Sequence, residues 1–358
     1  MESAQGIKSF LYVITNPDGP NSIAAYSRDP DTGALTFVGD YLTGGRGTGR
    51  SIDSQRPMVA DATGTHIYAV NAGSNDISVM NVRQDGWLEM AGTPVPSGGI
   101  APATLALRTN LLYVANKGDS TTAANYSGFR IDSGGSLSPI SRRAELNVGD
   151  NPTQVLFSPD GRLLIGIRFG AGALDCFRVR ASGRLRLLST LGNQRGPFAA
   201  VFNPTANTEL ILSDARLPGA ASYSIQSDGQ ISQISAFNNS PERGACWIAI
   251  QRDGSRSWVA NTGTSSLSLY DVNADGTLVL VGSHSTSAFG RAPFEIALDS
   301  AGRFLYELNT AAGSQSIHVM QVTGGSTDAG LGDAGTVDLP AGAAPAGLTL
   351  LEVQTQQG

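Results

Sequence analysis

Arginine residues recur just before short apolar runs, where the chain could present them to a common space. The members of this set are Arg56, Arg195, Arg243 and Arg291. A guanidinium group binds carboxylate or phosphate through a fixed fork of donors. Each arginine could instead pair with an acidic residue of a neighbouring segment, and Glu242 and Asp53 are the nearest candidates. The four together predict an anion-binding rim in a chain of net charge −6.

Glu295 is the candidate proton-transfer group. It lies two residues after Pro293 and four residues after Arg291. A carboxylate there could act as a general base or hold a water molecule, or it could only balance the arginine charge. Nearby cations are expected to lower its pKa and so to favour a base over an acid. Gln154, two residues after another proline, is expected to supply neutral hydrogen bonds. With Arg243, these are the predicted catalytic residues.

Other side chains at similar positions complete a predicted binding site. Trp247 could stack on a ligand or fill a central space. Phe198 and Phe294 would form apolar walls, and Asp214 and Arg216 share one polar segment. The predicted substrate-binding residues are Arg56, Arg195, Arg291, Arg216, Asp214, Trp247, Phe198 and Phe294.

The histidines and cysteines predict no metal or cofactor site. His66 is expected at a hairpin turn, His284 in a loop between repeats and His318 on a third strand, none with a partner at ligand spacing. Cys176 and Cys246 are expected to be buried free thiols. The glycine-rich residues 43–51 resemble a phosphate cradle but precede no helix pattern, so we expect a flexible flap whose Arg46 and Arg50 could reach a ligand.

Composition narrows the possible partners and locations. The chain has 358 residues, 44 of them glycine, and a pI of about 5.1. An acidic balance argues against nucleic acid, and no apolar run is long enough for a membrane helix. The N-terminal residues lack the build of a secretory signal, which predicts a cytoplasmic protein, or a secreted one if a signal was removed. Nothing indicates an oligomer, so a monomer is expected.

The elements that must position these residues form a repeat. Each unit has a proline, an apolar strand, a turn, a second strand such as Tyr68-Ala-Val-Asn, a third such as Asp76-Ile-Ser-Val-Met and an Asp-Gly turn. Asp-Gly between alternating apolar residues predicts a hairpin. A period of 40–50 residues with four short strands is typical of propeller blades. The units start near residues 57, 102, 152, 197, 245, 293 and 345.

The two chain ends predict how the ring closes. Residues 10–45 carry strands two to four of a blade without a first strand, and residues 345–354 are a lone first strand. Joining them leaves no open sheet edge. We therefore predict an all-β, seven-bladed β-propeller of four-stranded antiparallel blades, with residues 1–358 as one domain. First strands line the channel of such a fold, so the residues that begin them should meet in one funnel.

These motifs carry a family resemblance. The Ser-Pro-Asp-Gly-Arg turn at 158–162, the Tyr-Val-Ala-Asn strand at 113–116 and the Asp-x-x-Thr-Gly-x-Leu pattern are similar to the lactonase family of seven-bladed propellers. The resemblance covers about residues 10–353. It implies a funnel that binds an anionic sugar lactone or muconate through arginine, histidine and glutamate. This chain departs from the family at the histidine positions, which hold Gln154, Ala199 and Glu295.

Two classes of function follow. The first is a lactonase-type enzyme, without metal or cofactor, acting on a small anionic lactone or unsaturated acid in the funnel. A diverged isomerase or cyclase belongs to the same class. The alternative is a non-catalytic propeller that binds a protein or a small anion. The missing histidines favour the second class, and the arginines favour the first.

Overall fold

The computed structural model describes residues 6–237, 240–288, 292–310 and 315–355. Within them, the strands form seven antiparallel sheets in which chain neighbours pair. Blades are numbered here along the chain, with strands given from the channel outward. Blade 1 has Met58–Ala60, His66–Asn71, Asp76–Val82 and Leu88–Met90, with Val95–Pro96 as a further short strand. Blade 2 has Pro102–Arg108, Leu111–Asn116, Asn125–Ile131 and Leu137–Pro139, with Ala144–Glu145.

The next three blades are regular four-stranded sheets. Blade 3 has Pro152–Phe157, Leu163–Arg168, Ala173–Val179 and Leu185–Leu191. Blade 4 has Pro197–Phe202, Glu209–Asp214, Ala220–Ile225 and Ile231–Ser235. Blade 5 has Ala245–Ile250, Arg256–Asn261, Ser266–Val272 and Leu278–Ser285.

The last two blades complete the ring. Blade 6 has Pro293–Leu298, Phe304–Asn309, Ser316–Val322 and Leu331–Asp338, with a 3₁₀ turn at Thr327–Gly330. Blade 7 has Gly347–Thr355, Gly6–Ile14, Pro20–Arg28 and Leu35–Arg46. The C-terminal strand pairs with the N-terminal one from Ile14↔Gly347 to Gly6↔Thr355. The predicted seven-bladed propeller and its composite blade are confirmed.

The repeated aromatic residue of the second strand joins each of five blades to the next. Its ring is buried, and its polar atom donates to a carbonyl of the outer turn of the following blade. The pairs are Tyr12 with Gly86, Tyr68 with Gly135, Tyr113 with Gly183, Trp258 with Ala329, and Tyr306 with Gly33. A buried Tyr or Trp needs such a partner for its polar atom. The second-strand aromatic residue and the outer turn of the following blade are therefore the two sides of one recurring contact between blades.

A buried ion pair fastens blade 7 to blade 6. Arg28 contacts Asp299, and its Nε donates to Tyr306 Oη at 2.7 Å. The side chains of Arg28 and Asp299 are each 2% exposed. Removing one partner of a buried pair leaves the other charge without compensation.

We expect Arg28→Met to lower the free energy of unfolding by about 3–5 kcal/mol, because it leaves Asp299 buried and unpaired. Urea unfolding followed by tryptophan fluorescence measures the loss. The control is Arg83→Met, since Arg83 is 51% exposed beside Asp85 and Glu89, and we expect it to cost under about 1 kcal/mol. Equal losses in the two variants would contradict the assignment.

Candidate functional site

Residues 51–56, here called the channel-crossing segment, bridge the ring at the end where the innermost strands begin. Gln55 N donates to Thr153 O of blade 3 at 3.1 Å, and Leu105 N of blade 2 donates to Arg56 O at 2.9 Å. The Gln55 side-chain amide exchanges two hydrogen bonds with the backbone of Ile248 in blade 5, at 3.0 and 3.1 Å. A segment bonded to blades on opposite sides of the ring must cross the channel.

An aromatic cluster lies against the channel-crossing segment. Trp247 Nε1 donates to Ser54 O at 2.8 Å, and the side chain of Trp247 is 2% exposed. Its ring centroid lies 4.8 Å from that of Phe198 and 4.3 Å from that of Phe294. The three predicted aromatic residues therefore come together, with Trp247 filling the channel, which is the second of the two roles expected for it.

A cavity of about 720 Å³ occupies the channel on the other side of this segment. Gln55, Arg56 and Glu295 line its closed end, and the innermost strands line its walls. It reaches the turns that follow these strands, at residues such as Pro204 and Ser300. Pockets for small organic ligands have a volume of about 300–1,000 Å³. The cavity is therefore large enough for such a ligand, and it opens at the end opposite to the predicted funnel.

Arg56 places a cation in this cavity. Neighbouring protein atoms partly dehydrate its guanidinium group, yet Arg56 stays accessible to solvent and lines the cavity. Burial lowers the pKa of Arg56, and the charge of Glu295 opposes that effect. The ion pairs formed by the described residues do not include Arg56. Its backbone φ is 60°, a left-handed conformation that costs free energy in residues with a side chain. The geometry offers an anion an unpaired guanidinium.

Glu295 lies next to Arg56 and is 3% exposed. Its Oε1 accepts a hydrogen bond from Arg56 N at 2.7 Å, and its Oε2 accepts one from Leu348 N at 3.1 Å. Burial raises the pKa of Glu295 to about 8, outweighing both N–H donors and the Arg56 charge. The expected lowering of this pKa is therefore wrong, because loss of hydration disfavours the ionised form more than the nearby cation favours it.

The side chains of Gln154 and of Thr104, the equivalent residue in blade 2, bond the innermost strands of their blades to backbone groups of neighbouring segments. Gln154 Oε1 accepts from Ala200 N at 2.6 Å, and its Nε2 donates to Ala200 O at 3.0 Å. Thr104 Oγ1 donates to Gln55 O at 2.6 Å. The free edge of an innermost strand needs partners for its backbone groups. Gln154 is fully buried and does not line the cavity, so its catalytic role stays a prediction.

The other predicted arginines lie away from the cavity. Arg195, Arg216 and Arg243 are exposed at the end where the innermost strands begin, and none of them lines the cavity. Arg216 Nη1 donates to Arg195 O at 3.0 Å, and its guanidinium lies 4.5 Å from the Phe169 ring centroid. Arg291 lies outside the described residues. The structure thus separates Arg56 from Arg195 and Arg243, and their binding roles remain predictions.

Asp214 supports a turn at the same end of the channel. It is fully buried and accepts hydrogen bonds from the N–H groups of Gly196, Arg216 and Leu217 at 2.8–3.0 Å. This geometry holds the loop that carries Arg216. Its predicted contact with substrate also stays a prediction.

Two arginines at the open end of the cavity were not predicted as site residues from the sequence. Arg108 ends the innermost strand of blade 2 and donates to Pro159 O, and Arg252 follows the innermost strand of blade 5. Both line the cavity, and Arg252 is exposed. Comparing the residues that end the first strands, as well as those that begin them, would have found this second set.

The histidines differ in part from expectation. His284 lies on the strand Leu278–Ser285 and not in a loop, because the outer strand of blade 5 extends further than its sequence pattern indicates. His318 lies on a third strand as predicted, and its Nε2 is 3.0 Å from Asp333 Oδ1. The described residues contain no group of three His, Cys, Asp or Glu arranged to hold a metal ion. Among them, no helix is long and apolar enough to span a membrane.

Two smaller expectations can also be compared. Cys176 and Cys246 are buried free thiols as predicted. The glycine-rich residues 43–51 do not form a detached flap. Gly47 N donates to Gly19 O at 2.9 Å, and a Cβ on Gly45 would lie 2.3 Å from Asn71. Close packing against the neighbouring blade ties this stretch to the body of the propeller.

Comparison with known proteins agrees with this architecture. A family model described as "Lactonase, 7-bladed beta-propeller" matches residues 220–334. The 6-phosphogluconolactonase of Bacillus subtilis (strain 168) is 21% identical over 319 residues, which cover 86% of this chain and 75% of that protein. The resemblance to lactonase-family propellers is thereby confirmed.

Solved structures show the same fold. A putative 6-phosphogluconolactonase from Bacteroides uniformis superposes with a TM-score of 0.79 at 19% identity, covering 96% of this chain and 99% of that one. The periplasmic gluconolactonase of Pseudomonas aeruginosa gives a TM-score of 0.77 at 18% identity, covering 97% and 99%. At these identities, the likeness establishes the fold.

Proposed function

We propose that this protein is a lactonase-type enzyme that hydrolyses a small anionic lactone in the cavity beneath the channel-crossing segment. The observation that carries the proposal is the unpaired guanidinium of Arg56 beside Glu295 at the closed end of that cavity. The names of the relatives, 6-phosphogluconolactonase and gluconolactonase, support lactone chemistry. The cavity volume of about 720 Å³ suits a small ligand.

Charge along the cavity supports an anionic substrate. Arg108 and Arg252 line its open end, and Arg56 lies at its closed end. Cationic groups lining a cleft raise the local concentration of anions. A substrate with one anionic group would meet Arg252 first and then bring its lactone carbonyl towards Arg56. The guanidinium fork would stabilise the negative charge that develops on the carbonyl oxygen during attack by water.

Glu295 is the group suited to move the proton. Each of its carboxylate oxygens accepts one backbone N–H and keeps a further lone pair for a water molecule. In the ionised form, Glu295 takes a proton from that water while the water oxygen forms a bond to the lactone carbonyl carbon. The ring C–O bond then breaks, and the departing alkoxide receives the proton, giving a hydroxy acid. In the isomerase or cyclase variant of this proposal, the carboxylate oxygen of an unsaturated acid would add to one carbon of its C=C bond while the protonated form of Glu295 gives its proton to the other carbon.

A panel of lactones tests the proposal, with hydrolysis followed by pH-stat titration against enzyme-free blanks. We expect turnover of anionic lactones and a loss of about 10²- to 10³-fold in kcat/KM in Arg56→Met, because the variant loses the donors that face the developing charge. Arg56→Lys should retain part of the activity, since it keeps the charge without the fork.

The matched control is Arg83→Met on the outer surface of blade 1, which should stay within twofold of wild type. Full activity in Arg56→Met would place the reaction outside this cavity. Binding of anionic lactones without any turnover by the wild type would return the protein to the non-catalytic class.

A further inference from the structure

Lys117 lies at the end of the channel opposite to the cavity. It follows the second strand of blade 2, Leu111–Asn116, and so shares a face with the beginnings of the innermost strands. Its Nζ donates to Asp53 O at 2.9 Å, while the next carbonyl of the same segment, Ser54 O, accepts from Trp247 Nε1. The amine therefore reaches over the channel-crossing segment, on the side away from Arg56.

Few neighbouring groups stabilise the positive charge on the amine of Lys117. Among the described residues its one hydrogen-bond acceptor is a backbone carbonyl, and it takes part in none of their ion pairs. The carboxylate of Asp53 faces another partner, Ser51 Oγ, at 2.6 Å. An ammonium group can donate three hydrogen bonds, so two donors are left for a ligand. The side chain is half-buried, and a small molecule can therefore reach it.

The environment of this amine favours its neutral form. Burial lowers the pKa of Lys117 to about 8, against the raising effect of the Asp53 charge. A lysine with that pKa is about 10% neutral at pH 7, whereas an ordinary lysine is well below 1% neutral. The neutral amine is the nucleophile.

Composition makes the choice of lysine at this position informative. The chain has only two lysines, Lys8 and Lys117, among 24 basic residues. An arginine could donate the same hydrogen bond to Asp53 O, but it cannot lose its proton in a protein. A position that only had to fasten the channel-crossing segment would be served as well by arginine, the residue used almost everywhere else in this chain.

The face of the ring that carries Lys117 also carries three exposed arginines, which would attract an anion to this end of the channel. Arg195, Arg216 and Arg243 expose their guanidinium groups on the same face of the ring. We propose that Lys117 is a reactive lysine that forms an imine with a small anionic aldehyde or ketone at this end of the channel. The amine nitrogen adds to the carbonyl carbon, and a proton moves from nitrogen to oxygen. Loss of one water molecule from this adduct then forms the C=N bond.

Pyridoxal 5′-phosphate, an anionic aldehyde, tests the inference when its imine is trapped with borohydride and located by peptide mass spectrometry. Lys8 is exposed and serves as an internal reference. At pH 7 we expect Lys117 to be modified at least about 10-fold faster than Lys8, with a rate that rises to a plateau near pH 8. Modification of Lys117 no faster than Lys8, or a rate still climbing well above pH 9, would overturn the proposal.

A lysine variant and a second aldehyde distinguish the reactivity of Lys117 from its structural role. Lys117→Arg keeps the charge and the hydrogen bond to Asp53 O, so it should unfold at the wild-type temperature while losing the fast labelling. Pyridoxal without phosphate should react at least several-fold more slowly if the arginines attract the anion, and equal rates would overturn that part of the proposal. Lactone hydrolysis should be unchanged in Lys117→Arg, because Lys117 and the cavity lie on opposite sides of the channel-crossing segment.

Discussion

Replacing Glu295 with glutamine is expected to lower kcat for lactone hydrolysis by about 10²- to 10⁴-fold, the usual contribution of a positioned general base. The amide has nearly the shape of the carboxylate but cannot take a proton from water. It can still accept one of the two backbone hydrogen bonds that Glu295 receives from Arg56 and Leu348. Steady-state kinetics of the wild type and the variant measure the loss, which should appear in kcat more than in KM.

The same role of Glu295 also predicts the direction in which activity changes with pH. The ionised carboxylate is the base, and burial raises the pKa of Glu295 to about 8. Activity of the wild type should therefore rise about tenfold per pH unit below pH 8 and level off above it, after subtraction of spontaneous hydrolysis. The glutamine variant should lack this limb, because the group that titrates is gone.

Thr104→Val is the matched control for disturbance of the channel-crossing segment. Thr104 lies at the equivalent position of blade 2 and donates to Gln55 O, but it has no group that titrates in this range. The variant should lose about 1 kcal/mol of stability and keep the wild-type pH profile. The general-base role is refuted if Glu295→Gln shows the same rising limb as the wild type.

The free energy of unfolding should also depend on the ionisation of Glu295. The pKa of Glu295 is raised in the folded protein, so its contribution to stability is complete below its ordinary pKa of 4.5 and is lost as pH rises through about 8. Urea unfolding of the wild type should become easier over this window. The difference in unfolding free energy between wild type and Glu295→Gln should move in favour of the variant as pH rises.

Removing the strand Gly347–Thr355 should prevent cooperative folding of the chain. Nine residues of this strand pair with Gly6–Ile14, and its Leu348, Leu351 and Val353 are 3–8% exposed. Burying such side chains contributes about 1.5–3 kcal/mol each, which together approaches the whole stability of a typical domain. The cut also exposes the edge of Gly6–Ile14 and removes the strand that packs against the innermost strands of blades 6 and 1.

Circular dichroism during thermal unfolding and the soluble fraction after expression measure this effect. A synthetic peptide of residues 343–355 provides the control, since its addition should restore a cooperative transition if the strand acts by pairing. A truncated chain that melts cooperatively near the wild-type temperature would show that the closing strand is dispensable.

The blade architecture could be predicted from the sequence because its determinants are local and repeated. The second-strand tyrosines and the outer turns recur in each repeat at similar spacing, and the structure shows that they bond to each other across blades, as in Tyr12 with Gly86 of the Asp85-Gly86 turn. The unmatched strands at the two chain ends were enough to predict ring closure. Each of these signals is contained within about ten residues of sequence.

The candidate site could be predicted only in part. Arg56 and Glu295 were identified from their positions near the starts of the first strands, and they do lie together. Residues 51–56 match no repeat, so nothing in the sequence indicates that they cross the channel. Their contacts join residues far apart in the chain, such as Ser54 with Trp247 and Arg56 with Glu295.

The sequence by itself determined the number of blades, their strand order and the residue types that meet near the axis, because periodic apolar residues and turn glycines act through neighbours in the chain. The tertiary structure decided which end of the channel is open, that Arg56 is separated from Arg195 and Arg243, and that the pKa of Glu295 is raised. These properties depend on one unrepeated segment packed across the ring and on the burial it imposes, and burial is set by distant parts of the chain.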